Sequence, residues 1–280
     1  MCRVLGVSRS GYYAAAKRAP SVRSTQDLAL REQICALHEG QRKIPGALKT
    51  WQLLLQRGVA CGKHRTERLR KLDGIEANRK ARFRVMRTYQ KVEPTAPDLV
   101  KRAFAVAAPN KIWVSDMTTI GTREGWIHLA IVLDLFARRM VGWAIDSTQA
   151  ATLPVSALKM AIAQRQPQAG LICHTDQGSV YGSEVYRQVL IDHGLLASMS
   201  RKGNCHDNAV AESFFSNLKN EMTHHGIYAT RQGAKQAIND YIEVYYNRQR
   251  LHQTLRYSTP VEFEARYQRC AQLNRPLNPG

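Results

Sequence analysis

Nowhere in these 280 residues does an apolar run reach the ~18 that a membrane span needs, which argues against a membrane partner. The first residues carry no stretch of signal-peptide type, and charges enter as early as Arg3 and Arg9. Cysteine is scarce, six in the chain, too few for a disulfide scaffold at this length; a reducing cytoplasm is the expected setting. Acidic residues are scarcer than their partners: 22 Asp and Glu stand against 41 Lys and Arg, for a formal charge of +19. That excess is uneven. The first 106 residues hold 23 Lys/Arg against 8 Asp/Glu, and the remaining 174 hold 18 against 14. A polyanionic partner follows, because each cation near a phosphate releases condensed counterions. No amphipathic helix with a bulky apolar face accompanies the basic run, so nucleic acid fits better than a membrane surface. With 44% apolar residues the chain can still bury a core.

The pattern along the chain divides it. In Leu5-Gly6-Val7-Ser8 the turn of a helix-turn-helix is legible, with Ser8 capping a helix from Arg9 to about Arg18. The helix before that turn is not there in full, which suggests a truncated or shared motif. Helical periodicity recurs over 26–40 and 47–57, where Leu48, Trp51, Leu54 and Leu55 fall on one face. A turn at 59–62 and a basic helix over 64–72, bearing Lys63, Arg65, Arg68, Arg70 and Lys71 at or beside it, complete a second helix-turn-helix. Arg65 and Arg68 are its candidate DNA contacts. Residues 76–106 read as a basic linker that tracks phosphates. From 107 the period shortens. Strands are expected over 111–120, 126–133 and 139–145, then a helix over 151–164, a strand over 171–174, a helix over 183–193, a strand over 196–200 and a long helix from Asp207. A final amphipathic helix covers 230–248. Three strands followed by alternating helix and strand is the order of a ribonuclease-H-like α/β fold, a mixed five-stranded sheet flanked by helices. The organisation is thus 1–75 helical and DNA-binding, 76–106 linker, 107–268 catalytic core and 269–280 flexible tail.

Three acids stand out within that core. Asp116 falls mid-strand among apolar neighbours, where propensity disfavours it and a lone buried carboxylate is costly. Asp176 lies just past a buried strand in His174-Thr175-Asp176-Gln177-Gly178-Ser179. Glu212 shares a polar helical stripe with Asn208, Ser216 and Lys219, opposite Val210, Phe214 and Leu218. Singly, Asp176 reads as a turn former and Glu212 as a solvent-facing residue. Converging, three carboxylates would repel unless divalent cations joined them, and hard oxygen ligands suit Mg²⁺ or Mn²⁺. Two such ions ~3.5–4 Å apart can activate one oxygen and stabilise another in phosphodiester chemistry. Asp116 would bridge both, with Asp176 and Glu212 each holding mainly one.

Between Asp176 and Glu212 lie 35 residues, and Lys219 follows seven after Glu212. With WVSDMTTI, HTDQGSVYGS, SRKGNCHDNAVAESFFSNLKNE and YNRQRLHQTLRYSTPVEF, this spacing resembles the Asp-Asp-35-Glu signature of retroviral integrases and bacterial transposases. The chain is similar to the second-frame (OrfB) transposases of the IS-three family of insertion sequences, over 107–265 above all. Nearer the N-terminus, Ile44-Pro45-Gly46 departs from that family's Tyr-Gly turn. The resemblance implies an integrase core that cuts DNA at the element's ends with water and joins the freed 3′-hydroxyl to another phosphodiester. It also implies two Mg²⁺ or Mn²⁺ ions per site, terminal repeats and target DNA as partners, a homo-multimer, and an upstream-frame (OrfA) protein or fusion. A bacterial cytoplasmic setting, nucleoid-associated through DNA, goes with it. Lys219 is expected on terminal phosphate, with a surface salt bridge as the alternative. His174 and Asn208 are expected to orient ligands or touch DNA, with packing as the alternative. Asp207 reads as the cap of its helix, and Asp134 as structural.

Other readings compete. A second-frame product made alone could be a DNA-binding regulator of transposition that does not cut, and a simple nuclease would cut without joining. Cys35 with His38 and Cys61 with His64 form two Cys-x₂-His pairs of a kind zinc uses, though His38 also ends an amphipathic helix where a capping role suffices.

Overall fold

The computed structural model describes residues 2, 4, 6, 8–77, 95–101, 105–200, 209–222 and 227–273. It divides into two compact units, Met1–Asn78 and Arg79–Gly280.

The first unit is helical among its described residues. Helix α1 (Arg9–Ala16) starts where Ser8 accepts a hydrogen bond from the Gly11 N–H at 3.0 Å, the expected cap. Helix α2 (Val22–Gly40) begins four residues earlier than its periodicity suggests, because Ser21 caps it through the Ser24 N–H. Helices α3 (Ala47–Gln56) and α4 (Lys63–Leu72) share one device. Each starts after a glycine, and Thr50 and Thr66 turn their hydroxyls back onto the carbonyls of Gly46 and Gly62. A threonine satisfied in this way can be buried, and both are. That corrects the expected face of α3. Thr50, Leu53 and Leu54 point inward, while Leu48 and Leu55 are exposed and Trp51 is half-buried. With Ile34, Leu37 and Leu69 they form the core of α2, α3 and α4.

In the second unit, β1 (Ile112–Thr122), β2 (Gly125–Asp134), β3 (Arg139–Asp146), β4 (Ile172–Thr175) and β5 (Leu196–Met199) form a mixed sheet ordered β3-β2-β1-β4-β5. The first three are antiparallel; β4 runs parallel to β1, and β5 to β4. Helices α5 (Thr152–Arg165) and α6 (Glu184–Asp192) cover one face over Trp113, Val132, Val141 and Cys173. Helix α5 comes so close to β3 that a Cβ on Gly142 would stand 2.3 Å from the Ala157 carbonyl, so only glycine fits there. Helix α7 (Ala209–Met222) packs against β1, and α8 (Arg231–Asp240) against β2. The inward side of α7 is Ala211, Phe214, Phe215, Leu218 and Met222, broader than the expected apolar stripe. Helix α8 does not run on as an α-helix to 248 but passes into a π-helical turn, Tyr241–Tyr246. Helix α9 (Pro260–Leu273), which no periodicity announced, enters the stretch assigned to a tail.

Asp134 proves structural. Its buried carboxylate closes the β2–β3 turn by accepting the Asn110 and Phe136 N–H groups at 2.8 and 2.9 Å. Burial raises its pKa above the ordinary carboxylate value, against the pull of those bonds and of Arg165. Glu264 brings α9 onto the same network, accepting from Arg139 at 3.0 Å and pairing with Arg165.

Candidate active site

Strands β1 and β4 pair in a register that sets Ile112, Trp113 and Val114 beside Ile172, Cys173 and His174. The ladder ends at that last pair, with Asp116 two residues beyond it on β1 and Asp176 two residues beyond it, the first residue past β4. Each carboxylate is held by a nearby backbone N–H: Asp116 Oδ1 accepts that of the next residue, Met117, at 2.8 Å, and Asp176 Oδ1 that of Gly178, two residues on, at 3.0 Å. A Cβ on Gly178 would lie 3.0 Å from that same Oδ1, so the tight turn favours glycine. Asp116 is 1% exposed and Asp176 half-buried.

Tyr181 reports on both acids. Burial drives its hydroxyl pKa well above the ordinary range, and the negative charges of Asp116 and then Asp176 push it further. Its hydroxyl stands 3.4 Å from Ser115 Oγ, which itself donates to the Ile131 carbonyl at 2.8 Å. Tyr181 falls within HTDQGSVYGS, yet the sequence does not single it out, because an aromatic residue after a turn looks like ordinary core.

Glu212 is carried by α7 and is half-buried; Lys219 sits half-buried in the last turn, where a cation also offsets the helix dipole. Asn208 and Asp207 lie outside the described residues. His174 corrects its expected role as a DNA contact. It is 0% exposed, with Nδ1 2.9 Å from Ser198 Oγ on β5, so it braces the strand leading to Asp176 and does not reach the surface. The aspartate pair fits a hard divalent cation, since its donors are carboxylate oxygens already oriented by backbone N–H groups. Among the described residues, however, no three His, Cys, Asp or Glu side chains are gathered to hold one ion. Glu212 thus stands on the helix over β1 without forming such a trio with the aspartates.

On the first unit, Arg65 and Arg68 converge on Asp27: Nε of Arg65 lies 2.7 Å from Oδ1, and a terminal nitrogen of Arg68 lies 2.5 Å from Oδ2. Those bonds, Arg68 first, hold the Asp27 carboxyl below its usual range. Arg70, read as part of the basic face, is 3% exposed and donates inward to Thr50 Oγ1 and the Pro45 carbonyl at 2.8 and 3.0 Å. The Cys-x₂-His residues are scattered: Cys35 and His64 are exposed, His38 is buried, and Cys61 Sγ lies 3.5 Å from Thr66 Oγ1.

A mixed five-stranded sheet in this order, flanked by helices, with Asp116 within β1 and Asp176 just past the parallel β4, is the arrangement of an integrase-type core. Known proteins agree: the integrase core domain family matches residues 106–205, and a second integrase core domain family matches 212–267. A 31 kDa protein of insertion element IS600 from Shigella sonnei is 40% identical over 97% of this chain and all of its own length. The transposase for insertion sequence element IS904 from Lactococcus lactis is 38% identical over 88% of this chain and 98% of that protein. Transposase InsF for insertion sequence IS3A from Escherichia coli is 33% identical over 94% and 92%. Among solved structures, the HTLV-2 integrase catalytic core domain in complex with magnesium aligns with a TM-score of 0.45 and 18% identity, over 56% of this chain and 97% of that one. The chain belongs to the IS-three family of insertion-sequence transposases. No described helix is long and apolar enough to cross a membrane.

Proposed function

We propose that this transposase cuts and rejoins DNA at the ends of its insertion element through a divalent-metal site made by Asp116, Asp176 and Glu212. The observation that supports the reading is the β1–β4 register, which ends two residues short of both aspartates, each with its Oδ1 on a backbone N–H. Magnesium or manganese held there, two ions in the complete site, would supply Lewis-acid activation of an attacking oxygen and stabilisation of a leaving one. The chain's own residues do the rest. Met117 and Gly178 N–H groups orient the aspartates, and His174 with Ser198 holds the strand beneath Asp176. Glu212 completes the donor set from α7, and Lys219, farther along the same helix, meets terminal phosphate. Arg65 and Arg68, arranged by Asp27, present cations from α4 to the DNA backbone or bases. A homo-multimer pairs two element ends, with an upstream-frame protein as a further partner, in the cytoplasm.

The test incubates purified protein with labelled element-end DNA and Mg²⁺, alone and with any upstream-frame partner. Nicked and joined products are expected from the wild type and not from Asp116→Ala, Asp176→Ala or Glu212→Ala. Full activity in those variants would sink the assignment, and binding without any product from the wild type would favour a regulator.

A further inference from the structure

The other end of α7 from Glu212 is fastened by buried charge. Glu221 accepts from the Arg250 guanidinium twice: the single Nε–H is shared between both carboxylate oxygens at 3.0 Å, and a terminal nitrogen donates at 2.9 Å. The Tyr241 hydroxyl donates to the same carboxylate at 2.7 Å. Both charged side chains are only 8% exposed. A surface ion pair contributes little, but a buried one with this many bonds fixes its partners, because breaking it strands an uncompensated charge. The donors come from one short stretch. Tyr241 opens the π-helical turn, and Arg250 comes after it, its own N–H bonded to the Tyr245 carbonyl at 2.7 Å. A π-turn inserts one residue into a helix and re-aims the chain beyond it, and such turns gather at functional sites. Here the turn presents Tyr246 edge-on to Phe214, 4.8 Å between centroids at 89°, and Phe214 lies two residues from Glu212. Arg250 in turn lies 6.0 Å from the centre of the Tyr246 ring. Helix α7 is therefore gripped at Glu221 by charge and at Phe214 by rings, all from residues 241–250.

We infer that the Glu221–Arg250–Tyr241 cluster and its π-turn are a positioning device that sets the helix carrying Glu212 against β1. These residues have no part in holding DNA or metal; they act through α7. The inference rests on the proposed role of Glu212, because the placement of α7 bears on the reaction only if that helix carries a ligand. It also gives the π-turn a purpose that simple continuation of α8 would not serve.

The test uses the full chain with Tyr241→Phe, which removes one hydroxyl, and Arg250→Lys, which keeps charge but loses the forked geometry. Arg139→Lys, at the α9 network, is the control. Amide exchange measured by mass spectrometry should quicken in residues 209–216 and stay unchanged in α5. The Mg²⁺ concentration giving half-maximal strand transfer should rise by roughly tenfold or more, as for other groups that orient metal ligands. The control should show neither change. Exchange that is unaltered, or faster throughout the unit, overturns the inference. So does local quickening with an unchanged Mg²⁺ requirement, since α7 would then be held for stability alone. Full activity of Glu212→Ala would instead remove the proposed role of Glu212, and the exchange data would still decide whether 241–250 holds α7.

Discussion

The hydroxyls of Ser115 and Tyr181 stand 3.4 Å apart, joining the residue before Asp116 to the turn that comes after Asp176. The Tyr181 ring also lies 3.5 Å from where a Cβ on Gly178 would be, and its N–H donates to the Gly178 carbonyl at 3.0 Å. Ring and hydroxyl therefore do separate work. Tyr181→Phe should cost about 1 kcal/mol, the worth of one modest hydrogen bond. Tyr181→Ala should cost ~3–5 kcal/mol, because it opens a cavity under the Asp176 turn. Urea denaturation of the two variants measures both, and equal losses would show that the hydroxyl and ring are not separable.

Most of the element order was legible because the periods were strong: residues 112–122 and 125–134 alternate or run apolar, and Ser8, Ser183 and Thr230 sit where caps belong. Failures came where a polar group is satisfied indoors. Arg70 looked like surface because arginine usually is, yet Thr50 and the Pro45 carbonyl take its protons. Thr50 in turn displaced Leu48 and Leu55 from the expected face. His174 was expected to orient ligands or touch DNA, but Ser198 meets it from β5, a strand whose pairing no local pattern announces. The same holds for the site. Asp116 and Asp176 could each be picked out as unusual, whereas their placement beyond the same ladder depends on a parallel pairing of strands far apart in the chain. The π-turn was invisible because one inserted residue barely disturbs a helical period.

His38 gives the N-terminal unit a pH dependence. Burial chiefly, then the Arg70 charge, lowers its pKa below the usual 6.5. The native state therefore favours the neutral ring. Its contribution is present above the unfolded value of 6.5 and is lost as pH falls through the lower folded value. Chemical denaturation at about pH 7.5 and about pH 5.5 should show the first unit weakening on acidification, and less so in His38→Gln. Equal pH responses in both proteins would remove His38 as the cause.

The basic helix α4 divides by exposure. Lys63 and Lys71 are exposed, and each replaced by Ala should lower the slope of log affinity against log salt by about 1 if it meets a phosphate. Arg70→Met should leave that slope alone and cost roughly 1.5–3 kcal/mol of stability through its lost charged hydrogen bonds. Fluorescence anisotropy with element-end DNA across a salt series separates the two. A changed slope in Arg70→Met, with none in the lysine variants, would refute the division.

Asp116, almost fully buried on β1, and Asp176, just past β4, would repel one another as two carboxylates of one site, and a divalent cation held by both would lower that repulsion. Folding stability and function should therefore pull in opposite directions here. In EDTA, Asp116→Asn should melt at a higher temperature than the wild type, because it removes one of the two charges and keeps the side-chain shape and the Met117 bond. Added Mg²⁺ should raise the wild-type melting temperature, since a ligand bound only by the native state stabilises it by mass action. The same Mg²⁺ should leave Asp116→Asn nearly unmoved, and strand transfer by that variant should be lost. A lower melting temperature for Asp116→Asn in EDTA would mean that Asp116 serves the fold first. An undiminished Mg²⁺ response would mean that the ion binds somewhere other than beside Asp116.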